Sequence, residues 1–341
     1  MQAEPSKPAT IGDVARVSRV SPATVSRALN GHPRVDPELV RRVEAAAQQV
    51  NYRPNSAGRA LRRQRADLLA AIVPDVRNPF FVGVIEAFEQ SANAAGYSVM
   101  LCNSHEETAV EKASIESVIA HQASGVLIAA ASPHLSRLAP LQRAGIPVIT
   151  VDRQVNDFWG DSVSVDNPLI GQLAARHLLE QGRTRPLVLN HSLGVSPMRD
   201  REVGFLAEMA AAGHPVAPER ILQLPFQADV PLDVSELLSG QADCDAVFAT
   251  TNSLTGAAFI ALRALGRRIG PDIGLIGVDD DRWNSMVEPQ VTVVEQPSGQ
   301  LGAWAGQLLA ARASGARVES ARILLNPVLR VRASSLRQGA D

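Results

Sequence analysis

Short apolar runs alternate with helix-length segments from Asp67 onward, and no other feature of the chain constrains its fold as strongly. Seven runs resemble buried strands: residues 68–73, 98–103, 125–130, 147–151, 186–190, 246–250 and 273–278. Five segments between them have helical length: residues 81–95, 108–122, 167–181, 198–212 and 253–265. This alternation predicts parallel sheets covered by helices on both faces. Residues 67–341 exceed what one such sheet usually needs, so we expect an α/β body of two doubly wound parallel-sheet lobes.

Polar side chains follow several of these runs, and we expect them to form a ligand site. In open parallel sheets, ligands bind outside the carboxyl ends of the strands. Arg201, which opens a helix, adds a guanidinium that can grip a carboxylate or vicinal hydroxyls. Any one of these residues alone is explained more simply as a helix cap or a turn residue, but together they indicate a binding cleft. The strand-end residues are Asp75, Asn78, Asp152, Arg153, Asn252, Asp279 and Asp280.

The charge of the chain is divided unevenly between its two ends. Residues 1–66 hold 12 Lys and Arg against 5 Asp and Glu, a net charge of +7, whereas the whole chain carries −2. The remainder is therefore acidic, at −9. A basic head on an acidic body is typical of a protein whose head meets nucleic acid phosphates, although a solvated basic face has the same composition.

The head has the start signals of three short helices. Thr10 and Asp13 are spaced as a capping box, Ser21-Pro22 can cap and open a second helix that ends near residue 30, and Asp36-Pro37 repeats that signal. Apolar residues recur at helical spacing, so we expect one small helix-turn-helix core. Its predicted members are Val14, Val20, Val25, Leu29, Val35, Leu39 and Val43.

The second helix of such a unit lies in the DNA major groove. Arg27 is its only long side chain able to place a bidentate fork on guanine. Pro22 and Ala23 offer only apolar contacts, for example to a thymine methyl. The short polar side chains are suited to contact DNA phosphates and so fix the position of the helix on the duplex. Capping or turn formation is their alternative role. They are Ser21, Thr24, Ser26 and Asn30.

Residues 53–65 are a basic segment that contains one leucine. Asn55 can cap a helix too short to persist alone in water, and Gly58 weakens it by about 1 kcal/mol relative to Ala. Leu61 then lies among arginines, as do the apolar wedges that minor-groove proteins insert between base steps. An ordinary linker with one exposed leucine is the alternative.

These motifs resemble the LacI/GalR family of bacterial transcription regulators over nearly the whole chain. The head matches in residues 20–27 (VSPATVSR), and the hinge entry matches in residues 51–55 (NYRPN). The body, in residues 75–81, 151–153, 164–167 and 277–280, is similar to the effector-binding core of that family and to periplasmic sugar-binding proteins. The resemblance implies a helix-turn-helix domain at 1–54, a hinge at 55–66, and a two-lobed effector-binding and dimerisation domain at 67–341.

The resemblance also implies roles for individual residues. Leu61 pairs with its copy in a dimer to open the centre of a palindromic operator, and Phe80 and Phe226 are aromatic walls of the effector site. The expected DNA contacts are Thr10, Ser21, Pro22, Ala23, Thr24, Ser26, Arg27, Asn30, Arg34, Tyr52, Asn55, Ala57, Arg59 and Leu61. The expected effector contacts are Asp75, Asn78, Phe80, Arg153, Arg201, Phe226, Asn252, Asp279 and Gln296.

Two residues depart from the family pattern. Gly58 stands where the hinge usually has alanine, which bears on operator affinity. Ser253 stands where the family usually has aspartate, which bears on the charge and sugar preference of the site. Arg153, Arg199 and Arg201 near the cleft leave an acidic effector open, although exposed arginines are the simpler explanation.

Other functional classes find no support in the sequence. There is no dinucleotide, phosphate-loop, metalloprotease or serine-hydrolase motif, so we expect no catalytic residue, metal site or cofactor. His105 beside Glu106 and Glu107 is interpreted as a surface turn, and Cys102 and Cys244 as core residues. No run is long enough to span a membrane and no secretory signal is visible, so the protein is expected in the cytoplasm.

The first hypothesis is therefore a homodimeric transcription regulator, most simply a repressor, which binds a pseudo-palindromic DNA operator and responds to a small molecule such as a sugar or sugar acid. The alternative is a cytoplasmic small-molecule binding protein with weak or architectural DNA binding. Control by a protein co-regulator is a third hypothesis.

Overall fold

The computed structural model describes residues 9–29, 32, 34–52, 66–191, 194–224, 234, 238, 240–241, 243–316 and 319–337. They belong to two compact units, residues 1–66 and 67–341. No helix in these ranges is long and apolar enough to cross a membrane. The predicted fold class, an all-α head and a two-lobed parallel α/β body, is confirmed in the described residues.

The head contains helices α1 (Ile11–Ser18), α2 (Pro22–Leu29) and α3 (Pro37–Gln49). The Asp13 carboxylate accepts hydrogen bonds from the backbone N–H of Thr10 at 2.9 Å and from its hydroxyl at 2.7 Å. Asp36 caps α3 through the N–H of Glu38 at 2.7 Å. All seven predicted core residues lie in one apolar cluster that joins the three helices, so local start signals and apolar spacing together determine this unit.

The body contains two six-stranded sheets, one in each lobe. Among the described residues, lobe 1 has the strand order β11-β5-β4-β3-β1-β2, all parallel, and lobe 2 has the order β12-β10-β9-β8-β6-β7, in which β12 alone is antiparallel. The strands of lobe 1 are β1 (Leu68–Val73), β2 (Ser98–Asn103), β3 (Gly125–Ile128), β4 (Val148–Val151), β5 (Asp161–Val165) and β11 (Arg322–Leu325). Those of lobe 2 are β6 (Pro186–His191), β7 (Ile221–Leu224), β8 (Ala246–Ala249), β9 (Gly274–Val278), β10 (Thr292–Glu295) and β12 (Val328–Arg330).

Seven α-helices are described beside these sheets, and two of them carry the chain from one lobe to the other. After β5 the chain enters lobe 2 through α7, which packs on α8, and after β10 it returns to lobe 1 through α10, which packs on α4. It crosses a third time between β11 and β12. The helices are α4 (Pro79–Ala94), α5 (Thr108–Ala120), α6 (Ala139–Arg143), α7 (Asn167–Glu180), α8 (Ser196–Ala211), α9 (Asn252–Ala264) and α10 (Ser298–Ala313).

Glycines allow the paired helices to approach very closely. A Cβ added to Gly171 of α7 would lie 2.0 Å from the backbone oxygen of Arg201 in α8, and one added to Gly204 would lie 2.1 Å from that of Pro168. In lobe 1, a Cβ on Gly302 of α10 would lie 2.1 Å from the oxygen of Val84 in α4. Each lobe therefore depends on a helix contact that no larger residue can occupy without movement of the backbone.

Candidate functional site

A cavity of about 350 Å³, including its mouth, lies between the two lobes where the carboxyl ends of their strands face each other. Two larger hollows, of about 900 and 1020 Å³, are each lined by residues of a single lobe. The interlobe cavity is the candidate functional site because, of these three, it is the one that joins the strand ends of both sheets. It is lined by Asn78, Phe80, Phe81, Asp152, Arg153, Pro197, Met198, Arg201, Thr251, Asn252, Asp279 and Gln296.

Arg201 is the centre of a buried hydrogen-bond network. It lies in the first two turns of α8 and is only 4% exposed. Its Nε donates to the side-chain oxygen of Asn167 at 2.8 Å, one terminal nitrogen donates to the backbone oxygen of Thr250 at 2.8 Å, and the other donates to Oε1 of Gln296 at 2.9 Å. Because Asn167 and Gln296 lie on two of the crossings between the lobes, the guanidinium ties both crossings to lobe 2.

Two aspartates enter the cavity from opposite lobes on strained backbone. Asp152 follows β4 and Asp279 follows β9, with φ angles of 62° and 70°. Left-handed backbone is costly for a non-glycine residue and often marks a functional site. Gln296 donates to Oδ1 of Asp279 at 2.7 Å, whereas Oδ1 of Asp152 is buried and has no hydrogen-bond partner among the described residues. Asp152, which lines the cavity, therefore carries a buried carboxylate oxygen that lacks a donor among the described residues.

Burial changes the protonation of both aspartates. It raises the pKa of Asp279 to about 7, against the opposing effect of the Arg201 cation. It also raises the pKa of Asp152, which the neighbouring Arg153 opposes. Asp279 therefore titrates near neutral pH, and any ligand that donates hydrogen bonds to it will shift this equilibrium.

Amide and aromatic side chains complete the walls of the cavity. Asn78 caps α4 by accepting from the N–H of Phe80 at 3.0 Å, and the same oxygen accepts from Nδ2 of Asn252 in lobe 2 at 2.9 Å. The rings of Phe80 and Phe81 meet edge to face with their centroids 5.0 Å apart. This arrangement places apolar faces beside polar side chains that both donate and accept, which suits a compact polyhydroxylated molecule.

Arg153 is neutralised in a way that the sequence did not reveal. Glu106 accepts from its two terminal nitrogens at 2.6 and 2.7 Å, and the two side chains are only 9% and 5% exposed. The interpretation of residues 105–107 as a surface turn was therefore wrong for Glu106, because side-chain pairing across 47 residues leaves no local pattern. Arg199, by contrast, is exposed and pairs with Asp200.

Most of the expected effector contacts come together here. Seven line the cavity: Asn78, Phe80, Arg153, Arg201, Asn252, Asp279 and Gln296. Asp75 does not, because its carboxylate accepts from the backbone and guanidinium of Arg77 in the turn after β1. Phe226 lies outside the described residues. Four lining residues were not predicted: Phe81, Pro197, Met198 and Thr251. Phe81 and Thr251 directly adjoin predicted residues, and Asp152 was recognised only as a strand-end residue.

The head exposes several of the expected DNA contacts on and around α2. Pro22, Ala23 and Arg27 are exposed, and the N–H of Thr24 donates to the Ser21 hydroxyl at 3.1 Å. Ser26 and Tyr52 are half-buried, whereas Arg34 and Thr10 are exposed. The remaining predicted contacts lie outside the described residues: Asn30, Asn55, Ala57, Arg59 and Leu61.

Comparison with known proteins agrees with both units. Residues 10–55 match the family model for bacterial regulatory proteins of the lacI family. Residues 66–312 match the model for periplasmic binding proteins and the sugar binding domain of the LacI family. The chain belongs to the LacI family. It is 32% identical to the ribose operon repressor of Halalkalibacterium halodurans over 305 residues, which are 88% of this chain and 89% of that relative.

Solved structures show the same architecture. The complex of the transcriptional regulator CelR with cellobiose matches with a TM-score of 0.73 and 27% identity, covering 96% of this chain and 99% of that one. The lac repressor dimer bound to operator matches with a TM-score of 0.85 at 22% identity, over 97% and 100% of the two chains, which concerns the fold alone. Members of this family are DNA-binding transcriptional regulators rather than enzymes, so this chain is a transcriptional regulator with an effector-binding body.

Proposed function

We propose that this protein represses transcription by binding a pseudo-palindromic operator as a homodimer in the bacterial cytoplasm, and that a neutral monosaccharide in the interlobe cavity controls its affinity for DNA. The observation that carries the effector proposal is Asp152, which lines the cavity and whose Oδ1 has no hydrogen-bond partner among the described residues. Nε of the neighbouring Arg153 also lacks an acceptor there. Adjacent sugar hydroxyls would supply the missing donor. The named relative is a ribose operon repressor, so D-ribose is the first effector to test.

The effector contacts proposed for this chain are the seven predicted residues that line the cavity, together with Phe81, Asp152 and Thr251. Asp279 and Asp152 accept hydrogen bonds from hydroxyls, Asn78 and Asn252 both donate and accept, and the phenylalanine rings cover the apolar face of the sugar.

The DNA contacts remain as proposed from the sequence, with Arg27 on a guanine edge and Leu61 as the minor-groove wedge. The proposed domain boundaries are also those from the sequence, with the helix-turn-helix domain at 1–54, the hinge at 55–66 and the effector-binding domain at 67–341. Large apolar side chains exposed on both lobes support a homodimer, since an isologous interface would cover them. They are Val82 and Leu101 of lobe 1, exposed to 47% and 46%, and Ile260 and Met286 of lobe 2, exposed to 70% and 77%.

Control follows from the position of the sugar between the lobes. Arg201 and Gln296 of the cavity belong to the network that joins two of the three lobe crossings, so a bound sugar favours one angle between the lobes over others. A coupling of about 1–3 kcal/mol between sugar and DNA would change operator affinity enough for regulation.

The proposal is tested by measuring operator affinity at constant salt with the full chain, first alone and then with D-ribose and a panel of other sugars. Operator fragments are selected from random DNA. We expect a dimer by light scattering, a preference of about 10³-fold or more for the selected palindrome over bulk DNA, and a change of affinity with one neutral sugar. Weak binding without sequence preference would contradict the assignment as a repressor, and a sugar-independent affinity would favour a protein co-regulator.

We expect effector affinity to rise with pH between 6 and 8. Burial raises the pKa of Asp279 to about 7, and hydroxyl donors stabilise its ionised form, so binding of the sugar releases a proton from this carboxyl. At pH 6 most of the protein has Asp279 protonated and must lose this proton when the sugar binds, so affinity should be about tenfold weaker at pH 6 than at pH 8. Calorimetric titration at both pH values measures this. The Asp279→Asn variant, which cannot ionise there, should show weak binding with little pH dependence, and an equally steep dependence in it would contradict the assignment.

A further inference from the structure

Glu106 lies in a turn with left-handed backbone, and this conformation directs its carboxylate toward Arg153. It follows β2 in a turn where two successive non-glycine residues, His105 and Glu106, have φ angles of 54° and 60°. Left-handed backbone at one such residue is uncommon, and each instance costs of order 1–3 kcal/mol. The turn carries the Glu106 carboxylate inward, whereas the neighbouring Glu107 stays exposed.

The carboxylate reaches Arg153 in a geometry that leaves little of the guanidinium for another anion. Both oxygens of Glu106 accept hydrogen bonds, at 2.6 and 2.7 Å, and one terminal nitrogen of Arg153 also donates to the backbone oxygen of Ala130 at 3.2 Å. A bidentate pair of this kind is strong and directional. The cation also lies 5.9 Å from the centroid of the Phe81 ring, so it forms part of the effector cavity wall.

The charges around the cavity show the consequence of this pairing. Its two guanidiniums belong to Arg153 and Arg201, and each nitrogen of Arg201 already donates to a protein oxygen. Asp152, Asp279 and Glu106 supply three carboxyls against these two cations. An effector that carries a carboxylate would therefore meet two guanidiniums whose terminal nitrogens all donate to protein oxygens, and an aspartate from each lobe. The guanidinium nitrogen without an acceptor among the described residues is the buried Nε of Arg153, which lies 3.7 Å from Oδ2 of Asp152.

We propose that Glu106 is a specificity-determining residue that makes the effector cavity select neutral sugars against sugar acids by occupying Arg153. This inference rests on the proposed control by a sugar. Glu106 acts through Arg153 and does not itself line the cavity. Removing its charge would leave Arg153 with donors and a positive charge that an effector carboxylate can use.

The experiment compares matched pairs of a sugar and its acid in the full chain. D-ribose is paired with D-ribonate and D-glucose with D-gluconate, and each is titrated by calorimetry into the wild type and into Glu106→Gln. The ratio of acid affinity to sugar affinity is measured, because that ratio cancels a general weakening of the site. We expect Glu106→Gln to raise the ratio by about 10- to 100-fold, which is the attraction of one newly available charge at a partly screened distance.

Two further variants separate charge from shape. Glu107→Gln removes the adjacent exposed carboxylate and should leave the ratio unchanged. Glu106→Asp keeps the charge on a shorter side chain and should preserve the preference for the neutral sugar, even if the turn is disturbed. Thermal unfolding without ligand identifies any variant that fails to fold, and Glu106→Asp then still tests whether a carboxylate at this position maintains selection.

The possible outcomes distinguish this inference from the proposed function. If the wild type binds the sugar and Glu106→Gln shows the same ratio, Glu106 does not determine specificity, although the protein still responds to sugars. A wild type that prefers the acid would also overturn the inference. If no variant responds to any sugar or acid while the operator is bound, the proposed control by a sugar fails and the inference fails with it.

Discussion

Replacing Arg201 with alanine is expected to abolish the effector response while operator binding persists. The guanidinium is buried and donates to Asn167, Thr250 and Gln296, so its removal leaves three acceptors without their donor. It also removes the cation that holds down the pKa of Asp279, which then stays protonated at neutral pH. We expect effector affinity to fall by about 100-fold or more, together with a loss of about 3–5 kcal/mol in the free energy of unfolding.

Arg199 provides the matched control on the same helix. It is exposed, pairs with Asp200, and does not line the cavity, so Arg199→Ala should change stability by less than about 1 kcal/mol and leave effector affinity unaltered. Operator affinity and effector titration, measured for both variants at one salt concentration, make the comparison. If Arg201→Ala is too unstable to purify, Arg201→Lys keeps the charge but loses the planar fork, and it should still lose most of the response. An unchanged effector affinity in either Arg201 variant would contradict the proposed site.

The head was the most predictable part of the chain because its signals are local. Capping residues and apolar residues at helical spacing lie within a few positions of one another, and the helices begin at Ile11, Pro22 and Pro37 as expected. The seven predicted strands of the body are likewise present, with ends within two residues. Each is a mainly apolar run, and all of them except the edge strand β2 are buried on both faces.

Five described strands were not predicted: β5, β7, β10, β11 and β12. Of these, β10 is a largely buried run of only four residues, whereas β5, β11 and β12 are not continuously buried. In β5, aspartate and serine alternate with valine, and β11 and β12 are short edge strands in which every second residue is exposed. The crossing helix α10 was also missed. Its register depends on glycines that fit against α4, and that contact joins residues more than 200 positions apart.

Some residues of the effector site could be predicted from their place at strand ends, whereas contacts between distant loops could not. Strand-end polar residues such as Asn252 and Asp279 could be found because the fold rule places them at one edge. Asp75 also follows a strand, but its carboxylate accepts hydrogen bonds from Arg77 two residues later and does not line the cavity. The pairing of Glu106 with Arg153 could not be found at all, because it depends on the path of two distant loops.

A single added methyl group at Gly171 is expected to damage both stability and the effector response. The new Cβ would lie 2.0 Å from the backbone oxygen of Arg201 and 2.5 Å from the backbone nitrogen of Phe205, so no side-chain rotation can relieve the overlap. Helices α7 and α8 must separate, and Arg201 moves with α8. For Gly171→Ala we expect a loss of about 3 kcal/mol or more in the free energy of unfolding, measured by denaturant titration, and a clear fall in effector affinity.

Two other glycines separate the causes of this effect. Gly256 lies within α9 with only Trp283 near its missing Cβ, at 3.8 Å, so Gly256→Ala should stabilise the protein by about 0.5–1 kcal/mol. Gly306 of α10 lies against Ser91, where a Cβ would approach to 2.5 Å, so Gly306→Ala should destabilise lobe 1. Because Gly306 is far along its helix from Gln296, the folded Gly306→Ala protein should bind effector normally. Equal losses of affinity in the Gly171 and Gly306 variants would mean that general loosening, rather than the position of Arg201, governs the response.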